Sequence, residues 1–349
     1  MNKKIRILIV DDSALVREIL SDSFSQDPDL EVVGTASNPY QARDILVIEK
    51  PDVITLDIEM PRMDGITFLK RFMSVIPTPT IIVSSLSDKN KRLSMDALEA
   101  GAVDIVPKPT SGLVDNFPLM MNDLIHKIKM AATVNVSKMH RDSRKTILSP
   151  DIGNQSLQES TEHVVAIGSS TGGTEALARI LPAFPPASPG IVVVQHMPAE
   201  YTASLAERLN RLSQMSVKEA QNGDRVISGQ VLIAPGGLQH MKVQRYGGQF
   251  RIKLIDGPPV SSHRPSVDVL FQSVARAVGK NAAAVLMTGM GKDGASGLLE
   301  IRNAGGRTFV QDEKTSVVWG MPKVAWQMNA AEAMVALEQI PRTIIKAIK

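Results

Sequence analysis

The chain has 349 residues, of which 43% are hydrophobic and 21% are charged, with a formal net charge of +3. This length suits two ordinary domains, and the small, dispersed positive charge does not indicate a nucleic-acid-binding protein. The chain contains no cysteine, which excludes disulfides, thiol catalysis and thiolate metal sites.

No apolar run is long enough to cross a bilayer, and the first strand-like segment ends in two acids. We therefore expect neither membrane insertion nor a signal peptide. The lack of cysteine fits a reducing compartment, and a cytoplasmic location is expected. No two of the six histidines have the spacing of a metal-binding pair, which argues against a zinc site built from the protein alone.

The first region alternates short apolar runs with amphipathic helical patterns. The apolar runs, rich in β-branched residues, lie at residues 5–10, 30–34, 53–56, 81–83 and 103–106. Runs of this kind are typical of strands buried on both faces, so a parallel sheet with helices on either side is predicted. This domain is predicted to span residues 1–128, and the polar stretch 129–162 has the composition of a linker.

The second region, residues 163–349, shows the same alternation of strand and helix patterns. Strand patterns occur at residues 163–167, 191–194, 231–234, 283–288 and 308–311. Helices are predicted to begin after Gly173 and after Gly294. Residues 243–255 carry a Gly-Gly pair between apolar flanks, which predicts a β-hairpin inserted into the parallel scheme. Both regions are therefore predicted to be α/β domains.

Three acids of the first region fall at predicted strand ends: Asp11, Asp12 and Asp57. The carboxyl ends of parallel strands meet at one rim of the sheet, so these side chains are expected to lie together. Clustered carboxylates are tolerated where a hard cation such as Mg²⁺ neutralises them. Ser84 and Lys108 end two further strands and offer a hydrogen-bond donor and a positive charge to a phosphate. A single acid of this kind would be a solvated turn residue, but five positions in order indicate a site.

These five positions, with Met60-Pro61, Asp64-Gly65 and Pro109, resemble the pattern of response-regulator receiver domains over residues 5–128. The resemblance implies a flavodoxin-like fold in which Asp57 accepts a phosphoryl group. It further implies that Asp12 and Asp57 bind Mg²⁺, that Asp11 assists through water, and that Glu59 contributes its backbone carbonyl. Ser84 and Lys108 would hold the phosphate.

One position departs from that pattern. Receivers usually carry an aromatic residue three positions before the lysine, where this chain has Ile105. An aromatic rotamer switch is therefore not available. We expect the response to phosphorylation to run through Ser84 and the loops around it.

Residues 168–172 fit the pattern G-x-S-x-G, a tight strand-to-helix turn that exposes its central serine, here Ser170. The helix after such a turn directs backbone N–H groups at developing negative charge. Alone the pattern is weak, because glycine-rich turns more often bind phosphate or simply turn the chain. A domain that binds a phosphorylated ligand without catalysis is therefore an open alternative.

A nucleophilic serine needs a base, and His196 ends the strand that follows the serine strand in sequence. Asp293 follows the strand at 283–288 and is predicted to orient the imidazole and stabilise its charged form. The order serine, histidine, aspartate differs from that of α/β-hydrolases. His263 is a competing base, but its surroundings predict a loop that opens a helix, so we treat it only as a candidate substrate contact.

Several segments around these residues match one family. They are residues 167–176, 195–198, 263–268, 288–295, 311–313 and 318–322. With them the second region resembles the catalytic domain of the chemotaxis protein-glutamate methylesterases over nearly its whole length. A receiver, a linker and this domain are that family's architecture. The family usually has alanine where this chain has Ser169.

The resemblance implies a doubly wound, mostly parallel α/β catalytic domain with a β-hairpin. It implies hydrolysis of γ-glutamyl methyl esters, and deamidation of specific glutamines, on methyl-accepting chemoreceptors, with no cofactor for the esterase reaction. The phosphodonor would be a chemotaxis histidine kinase. The backbone N–H groups of Thr171 and Met290 are candidates for an oxyanion hole. A serine hydrolase acting on a small ester is the second alternative, which the receiver disfavours.

Overall fold

The computed structural model describes residues 3–85, 87–109, 113–134, 136 and 162–348. Most of the predicted linker, residues 137–161, lies outside these ranges. Two compact units make up the chain, Met1–Lys145 and Thr146–Lys349. Within the described ranges, no helix combines the length and the apolar character needed to cross a membrane.

The first unit is built on a five-stranded parallel sheet with the order β2-β1-β3-β4-β5. Its strands are β1 (Ile5–Val10), β2 (Leu30–Ala36), β3 (Val53–Leu56), β4 (Thr80–Ser84) and β5 (Asp104–Pro107). Its helices are α1 (Ala14–Ser25), α2 (Pro39–Glu49), α3 (Gly65–Met73), α4 (Asp88–Glu99) and α5 (Leu113–Ala131). This is the flavodoxin-like order, which confirms the predicted fold.

Local sequence explains where several of these helices begin. Ser13 caps α1 by accepting a hydrogen bond from the Val16 N–H, and Asp64 caps α3 in the same way through Thr67. Asn38 caps α2, which has proline at its first position. The last helix, α5, runs three residues into the stretch predicted as linker.

The second unit contains a seven-stranded parallel sheet with the order β14-β13-β12-β6-β7-β9-β8. Its strands are β6 (Val164–Ser169), β7 (Gly190–Gln195), β8 (Ser216–Glu219), β9 (Gln230–Ile233), β12 (Ala282–Leu286), β13 (Arg307–Gln311) and β14 (Ala333–Val335). Its helices are α6 (Gly173–Ile180), α7 (Ala199–Leu212), α8 (Val267–Ala277), α9 (Ala295–Asn303), α10 (Met321–Gln327) and α11 (Ile340–Ala347). Short 3₁₀ turns occupy Leu181–Ala183, Gly279–Asn281 and Leu337–Gln339.

The predicted hairpin forms a separate two-stranded antiparallel sheet. Its strands, β10 (Gln239–Tyr246) and β11 (Gln249–Asp256), are joined by Gly247 and Gly248. Both glycines have positive φ, of 54° and 82°, which a two-residue turn of this type requires and which explains the Gly-Gly pair. One face of the hairpin packs into the core of the unit.

Strand β6 lies near the middle of the second sheet. From it the chain goes to β7 on one side and later returns to β12 on the other. In an open parallel sheet, ligands bind at the carboxyl ends of strands where the order reverses in this way. The topology therefore predicts a functional site at the residues that follow β6, β7 and β12.

Candidate functional site

Ser170 directly follows β6 and is almost buried, at 9% exposed. Its backbone N–H donates to the Thr288 carbonyl at 3.0 Å, and its carbonyl accepts from the Gly173 N–H at 2.7 Å. Gly172 has a φ of 77°, and a Cβ on Gly173 would lie 2.1 Å from the Gln195 side chain. The turn that carries Ser170 therefore needs both glycines: Gly172 is the last residue of the G-x-S-x-G pattern, and Gly173 follows it.

His196 and Asp293 meet as the sequence predicts. His196 Nε2 lies 2.8 Å from Asp293 Oδ2, and both side chains are almost fully buried. His196 follows β7, and Asp293 lies in the loop between β12 and α9. Because the carboxylate accepts, Nε2 carries the proton, and Nδ1 has the free lone pair. His196 Nδ1 is buried and has no hydrogen-bond partner among the described residues.

Ser170 lies beside His196 at the ends of adjacent strands. Ser169 and Gln195 are register partners of β6 and β7, so Ser170 and His196 each come one residue beyond a paired position. The His196 N–H also donates to the Ser169 carbonyl at 3.0 Å. The two side chains do not hydrogen-bond to each other. In the absence of a substrate, contacts of this kind are often long.

Asp293 is held by four donors. Besides His196, they are the Ser266 hydroxyl at 2.7 Å, the Val267 N–H at 2.7 Å and the Asp268 N–H at 3.0 Å. Burial acts to raise the pKa of Asp293, but these bonds, that of His196 first, hold its pKa below the ordinary value. The carboxylate is thus ionised at neutral pH and fixed in place.

A second carboxyl group, Asp268, adjoins Asp293, and its pKa is shifted in the opposite direction. Its Oδ1 accepts from the Gly297 N–H at 2.7 Å. Burial first, and then the negative charge of Asp293, raises the pKa of Asp268 to about 6, against the effect of the Gly297 bond. Asp268 lies in a segment that carries the family resemblance, but no residue pattern around it indicates this role.

Two buried amides that sequence reasoning left without a role tie the strand ends together. Gln195 Nε2 donates to the carbonyls of Ser170 (2.9 Å) and His196 (3.0 Å), while its Oε1 accepts from the Ser169 hydroxyl (2.7 Å). Gln311 Oε1 accepts from the Thr288 N–H at 2.8 Å. The available signal for both was a glutamine that directly follows the apolar residues at the end of its strand.

The loop after β12 lies against the serine turn. A Cβ on Gly289 would be 2.7 Å from Ser170 Cβ, and the Thr288 hydroxyl donates to the Thr171 carbonyl at 3.0 Å. Of the two candidate oxyanion donors, Thr171 follows Ser170 in its own turn, and Met290 follows Gly289 in the loop that lies against that turn. The ring of His263 stacks on that of His196, with centroids 3.7 Å apart and planes 13° apart.

The first unit brings its acidic residues together. Ligand oxygens of Asp11, Asp12 and Asp57 all lie within 4.8 Å of one another. Lys108 Nζ is 2.7 Å from Asp11 and 3.1 Å from Asp57. Burial raises the pKa of Asp57 to about 6; the charge of Lys108 acts against this and that of Asp11 adds to it. Burial acts to lower the pKa of Lys108, but Asp57 and Asp11 raise it above its ordinary value.

The remaining predicted residues of this unit lie nearby or in its core. Ser84 ends β4 and is fully buried, and its carbonyl accepts from the Lys108 N–H at 2.8 Å. Asp12 and Glu59 line one cavity of about 380 Å³. Ile105 is buried at 2% exposed. A Cβ on Gly65 would lie 2.1 Å from the Asp57 carbonyl oxygen, so glycine is needed after Asp64.

Comparison with known proteins identifies the family of both units. The family model described as CheB methylesterase matches residues 165–344, and that of the response regulator receiver domain matches residues 7–115. A protein-glutamate methylesterase/protein-glutamine glutaminase of Syntrophotalea carbinolica is 52% identical over 99% of this chain and 98% of its own length. The chain belongs to this enzyme family. A family member of Pseudomonas syringae pv. tomato is 50% identical over 98% of this chain and 99% of its own.

A solved structure of the same family confirms the fold of the second unit. The CheB methylesterase catalytic domain of Thermotoga maritima is 39% identical, with a TM-score of 0.52, and covers 53% of this chain and 97% of its own. The predicted combination of a receiver domain with a methylesterase domain is confirmed by the two family matches.

Proposed function

We propose that this methylesterase hydrolyses γ-glutamyl methyl esters, and deamidates specific glutamines, on methyl-accepting chemoreceptors, and so provides sensory adaptation in chemotaxis. The observation that carries the proposal is the 2.8 Å bond between His196 and Asp293 beside Ser170. A hydroxyl, an imidazole and a fixed carboxylate at one rim are what acyl transfer through a serine requires.

The hydrogen bond between His196 and Asp293 supports one scheme of proton transfers. Because Nε2–H of His196 is bound to Asp293, His196 Nδ1 takes the proton from the Ser170 hydroxyl as its oxygen attacks the ester carbonyl. Asp293, with its lowered pKa, stays ionised and stabilises the imidazolium without accepting the proton. The imidazolium then returns the proton to the departing methoxide, or to the departing amide nitrogen, which leaves as methanol or ammonia.

The developing oxyanion is assigned to the backbone N–H groups of Thr171 and Met290. Thr171 is held by the Thr288 hydroxyl, and the residue before Met290 lies against Ser170. These contacts support donors that are positioned before the substrate arrives. Water, activated by the same imidazole, then hydrolyses the acyl-enzyme and leaves a glutamate side chain.

The variant Ser170→Ala tests the assignment of the nucleophile. The measurement is the release of methanol from methylated chemoreceptors. We expect a loss of about 10⁴-fold or more, because the residual rate would come from binding and the oxyanion donors alone. Labelling of Asp57 by a radioactive phosphodonor should be unchanged in the same variant. Methanol release at the parent rate would refute the assignment.

For the receiver, we propose that Asp57 is phosphorylated by a chemotaxis histidine kinase and that Ser84 and Lys108 hold the phosphate. Lys108 already contacts Asp57, and Ser84 ends the neighbouring strand. The raised pKa of Asp57 fits a carboxylate whose negative charge the protein alone compensates incompletely.

The acidic residues also fit a hard divalent cation, because three clustered carboxylates carry more negative charge than one lysine neutralises. We propose that Asp11, Asp12 and Asp57, with the Glu59 carbonyl, hold Mg²⁺. When bound, Mg²⁺ supplies positive charge that stabilises the transferred phosphoryl group. Lys108 and Ser84 orient that group from the other strands.

We further propose a cytoplasmic protein with a receiver at residues 1–128, a linker at 129–162 and a catalytic domain at 163–349, in which the receiver restrains hydrolysis until it is phosphorylated. A truncated variant that lacks residues 1–128 should then release methanol faster than the unphosphorylated full-length protein. An unchanged rate would argue against restraint by the receiver.

A further inference from the structure

The outer face of the hairpin is basic. Side chains alternate along β10 and β11, so that Met241, Val243, Phe250 and Ile252 enter the core. On the opposite face Lys242 is the register partner of Lys253, and Gln244 is the partner of Arg251. Arg225 forms an antiparallel bridge with Arg251 and so shares this face. We call Arg225, Lys242, Arg251 and Lys253 the basic face.

These four charges have no carboxylate partner at ion-pair distance within the described ranges. The acids nearest in sequence are engaged elsewhere: Asp224 pairs with Lys218 at 2.7 Å, and Asp256 accepts from Gln239 at 3.0 Å. Like charges directly opposite each other on a sheet, such as Lys242 and Lys253, are destabilising. Arg251 donates to the Gly223 carbonyl at 3.2 Å and to Gln249 Oε1 at 3.3 Å, but folding does not explain the opposed lysines, whose repulsion an anionic partner would offset.

One loop connects the base of the basic face to the candidate active site. His240 lies two residues before Lys242 on the same face, about 7 Å along the strand. Its Nε2 donates to the Pro258 carbonyl at 2.9 Å, and its Nδ1 accepts from the Ser266 N–H at 3.1 Å. The loop that covers the base of this face is thus the one whose Ser266 binds Asp293 and whose His263 stacks on His196.

We infer that the basic face binds an acidic segment of the protein substrate beside the glutamyl ester or glutamine that reaches Ser170. This inference rests on the proposed function. Each turnover converts an uncharged ester or amide into a carboxylate, so the substrate protein becomes more negative as the reaction proceeds. Arg225 and Lys253 are exposed and Lys242 and Arg251 are half-buried, and surface charges of this kind steer association and set its salt dependence. Tyr246, 76% exposed at the end of the same face, adds the aromatic side chain that such interfaces favour.

The double variant Lys242→Glu/Lys253→Glu of the full chain tests the inference. The substrate is a methylated, lipid-free cytoplasmic fragment of a chemoreceptor, and the readout is methanol release at several fragment and salt concentrations. We expect kcat/KM to fall about tenfold at low salt, through KM and not kcat. The deficit should shrink at 0.5 M salt, where the Debye length is only about 4 Å.

Lys280→Glu is the matched control. Lys280 is exposed, has no ion-pair partner among the described residues, and precedes β12, at the end of that strand opposite to Asp293. This variant should keep the parent KM and salt dependence. The milder Lys242→Gln/Lys253→Gln should give an intermediate KM.

Labelling of Ser170 by a fluorophosphonate separates binding from damage to the site. The labelling rate should be unchanged in the charge-reversal variant, since the reagent does not need the basic face. An unchanged KM for the receptor fragment, or a loss of labelling equal to the loss of turnover, would overturn the inference. The inference would also be overturned if the charge-reversal variant lost binding to anionic vesicles or to DNA but kept the parent KM for the receptor fragment. Failure of Ser170→Ala to stop methanol release would instead overturn the proposed function.

Discussion

Asp57 and Asp293 are the same residue type in similar positions, beyond the carboxyl ends of parallel strands and almost excluded from solvent. Their pKa values nevertheless move in opposite directions. Burial raises that of Asp57 to about 6 in spite of Lys108, whereas the bonds of His196, Ser266 and Asp268 hold that of Asp293 below its ordinary value in spite of burial. Burial acts in the same direction on both pKa values, so the difference comes from the hydrogen-bond donors and from the neighbouring charges, Asp11 beside Asp57 and His196 beside Asp293.

This difference matches two kinds of chemistry. Asp293 has its oxygens filled by four protein donors, so it orients a neighbour and does not react. Asp57 faces one lysine, Lys108, and a second carboxylate, Asp11, whose side chain is also buried. A carboxylate with few donors keeps oxygen lone pairs available for a phosphoryl group or a cation. The same residue type thus serves as a fixed support in one site, at Asp293, and as an acceptor in the other, at Asp57.

The sharpest test of this comparison is Asp293→Asn. An amide keeps the size of the side chain but can present an N–H to His196 and so favour the wrong imidazole tautomer, which should lower kcat for methanol release by about 10⁴-fold. Asp57→Asn is the matched control and should leave the unstimulated rate close to that of the parent. A loss below tenfold in Asp293→Asn would mean that Asp293 does not orient the base.

The second test concerns how the catalytic strand ends are held. In Gln195→Glu the side chain can no longer donate to the carbonyls of Ser170 and His196, so kcat should fall by about 10²-fold with little change in KM. Ser169→Ala removes only the hydroxyl bound to the other end of Gln195 and should keep the parent kcat. Equal kcat values for Gln195→Glu and the parent would show that backbone bonds alone position these strands.

Asp57→Asn should abolish the response to a phosphodonor. The expected result is a methanol-release rate that does not change when a small-molecule phosphodonor and Mg²⁺ are added, while the parent is stimulated. The reason is that an amide cannot form the acyl phosphate at this position. Stimulation that persists in the variant would place the phosphorylated residue elsewhere.

Sequence reasoning located most of the strands because strands buried on both faces are apolar throughout. It also placed Ser170, His196 and Asp293 at strand ends, and the order β12-β6-β7 brings those ends side by side. The short edge strands β8 and β14 were missed, since each has only three or four residues and is partly exposed. Edge strands of this kind lack the continuous apolar signal.

The supporting bonds could not be predicted for a different reason. The Gln195 amide bridges two strand ends that lie 25 residues apart in sequence, and Asp268 meets Asp293 across the start of α8. Such contacts depend on the direction of a side chain within the folded sheet. Strand periodicity gives the face of a residue but not the partner it meets there.

The last prediction concerns Asp268, the carboxylate beside Asp293. Its pKa rises from 3.8 to about 6 on folding, so the folded state disfavours its ionised form, and stability is lost as the pH rises from about 4 through 6. Asp268→Asn keeps an acceptor for the Gly297 N–H but has no charge. The variant should therefore match the parent below pH 4 and exceed its unfolding free energy by about 1–3 kcal/mol above pH 6.

Urea unfolding followed by tryptophan fluorescence measures this directly, because both tryptophans of the chain, Trp319 and Trp326, lie in the second unit. Asp256→Asn, an exposed carboxylate on the hairpin, is the control and should show no gain at either pH. If Asp268→Asn were less stable than the parent at pH 7.5, the charge-assisted bond to Gly297 would outweigh repulsion by Asp293. The contrast between Asp293, with four donors, and carboxylates with fewer donors would then fail within the catalytic unit itself, because the backbone donors of Gly297 and Gly294 alone would keep buried Asp268 stable in its ionised form.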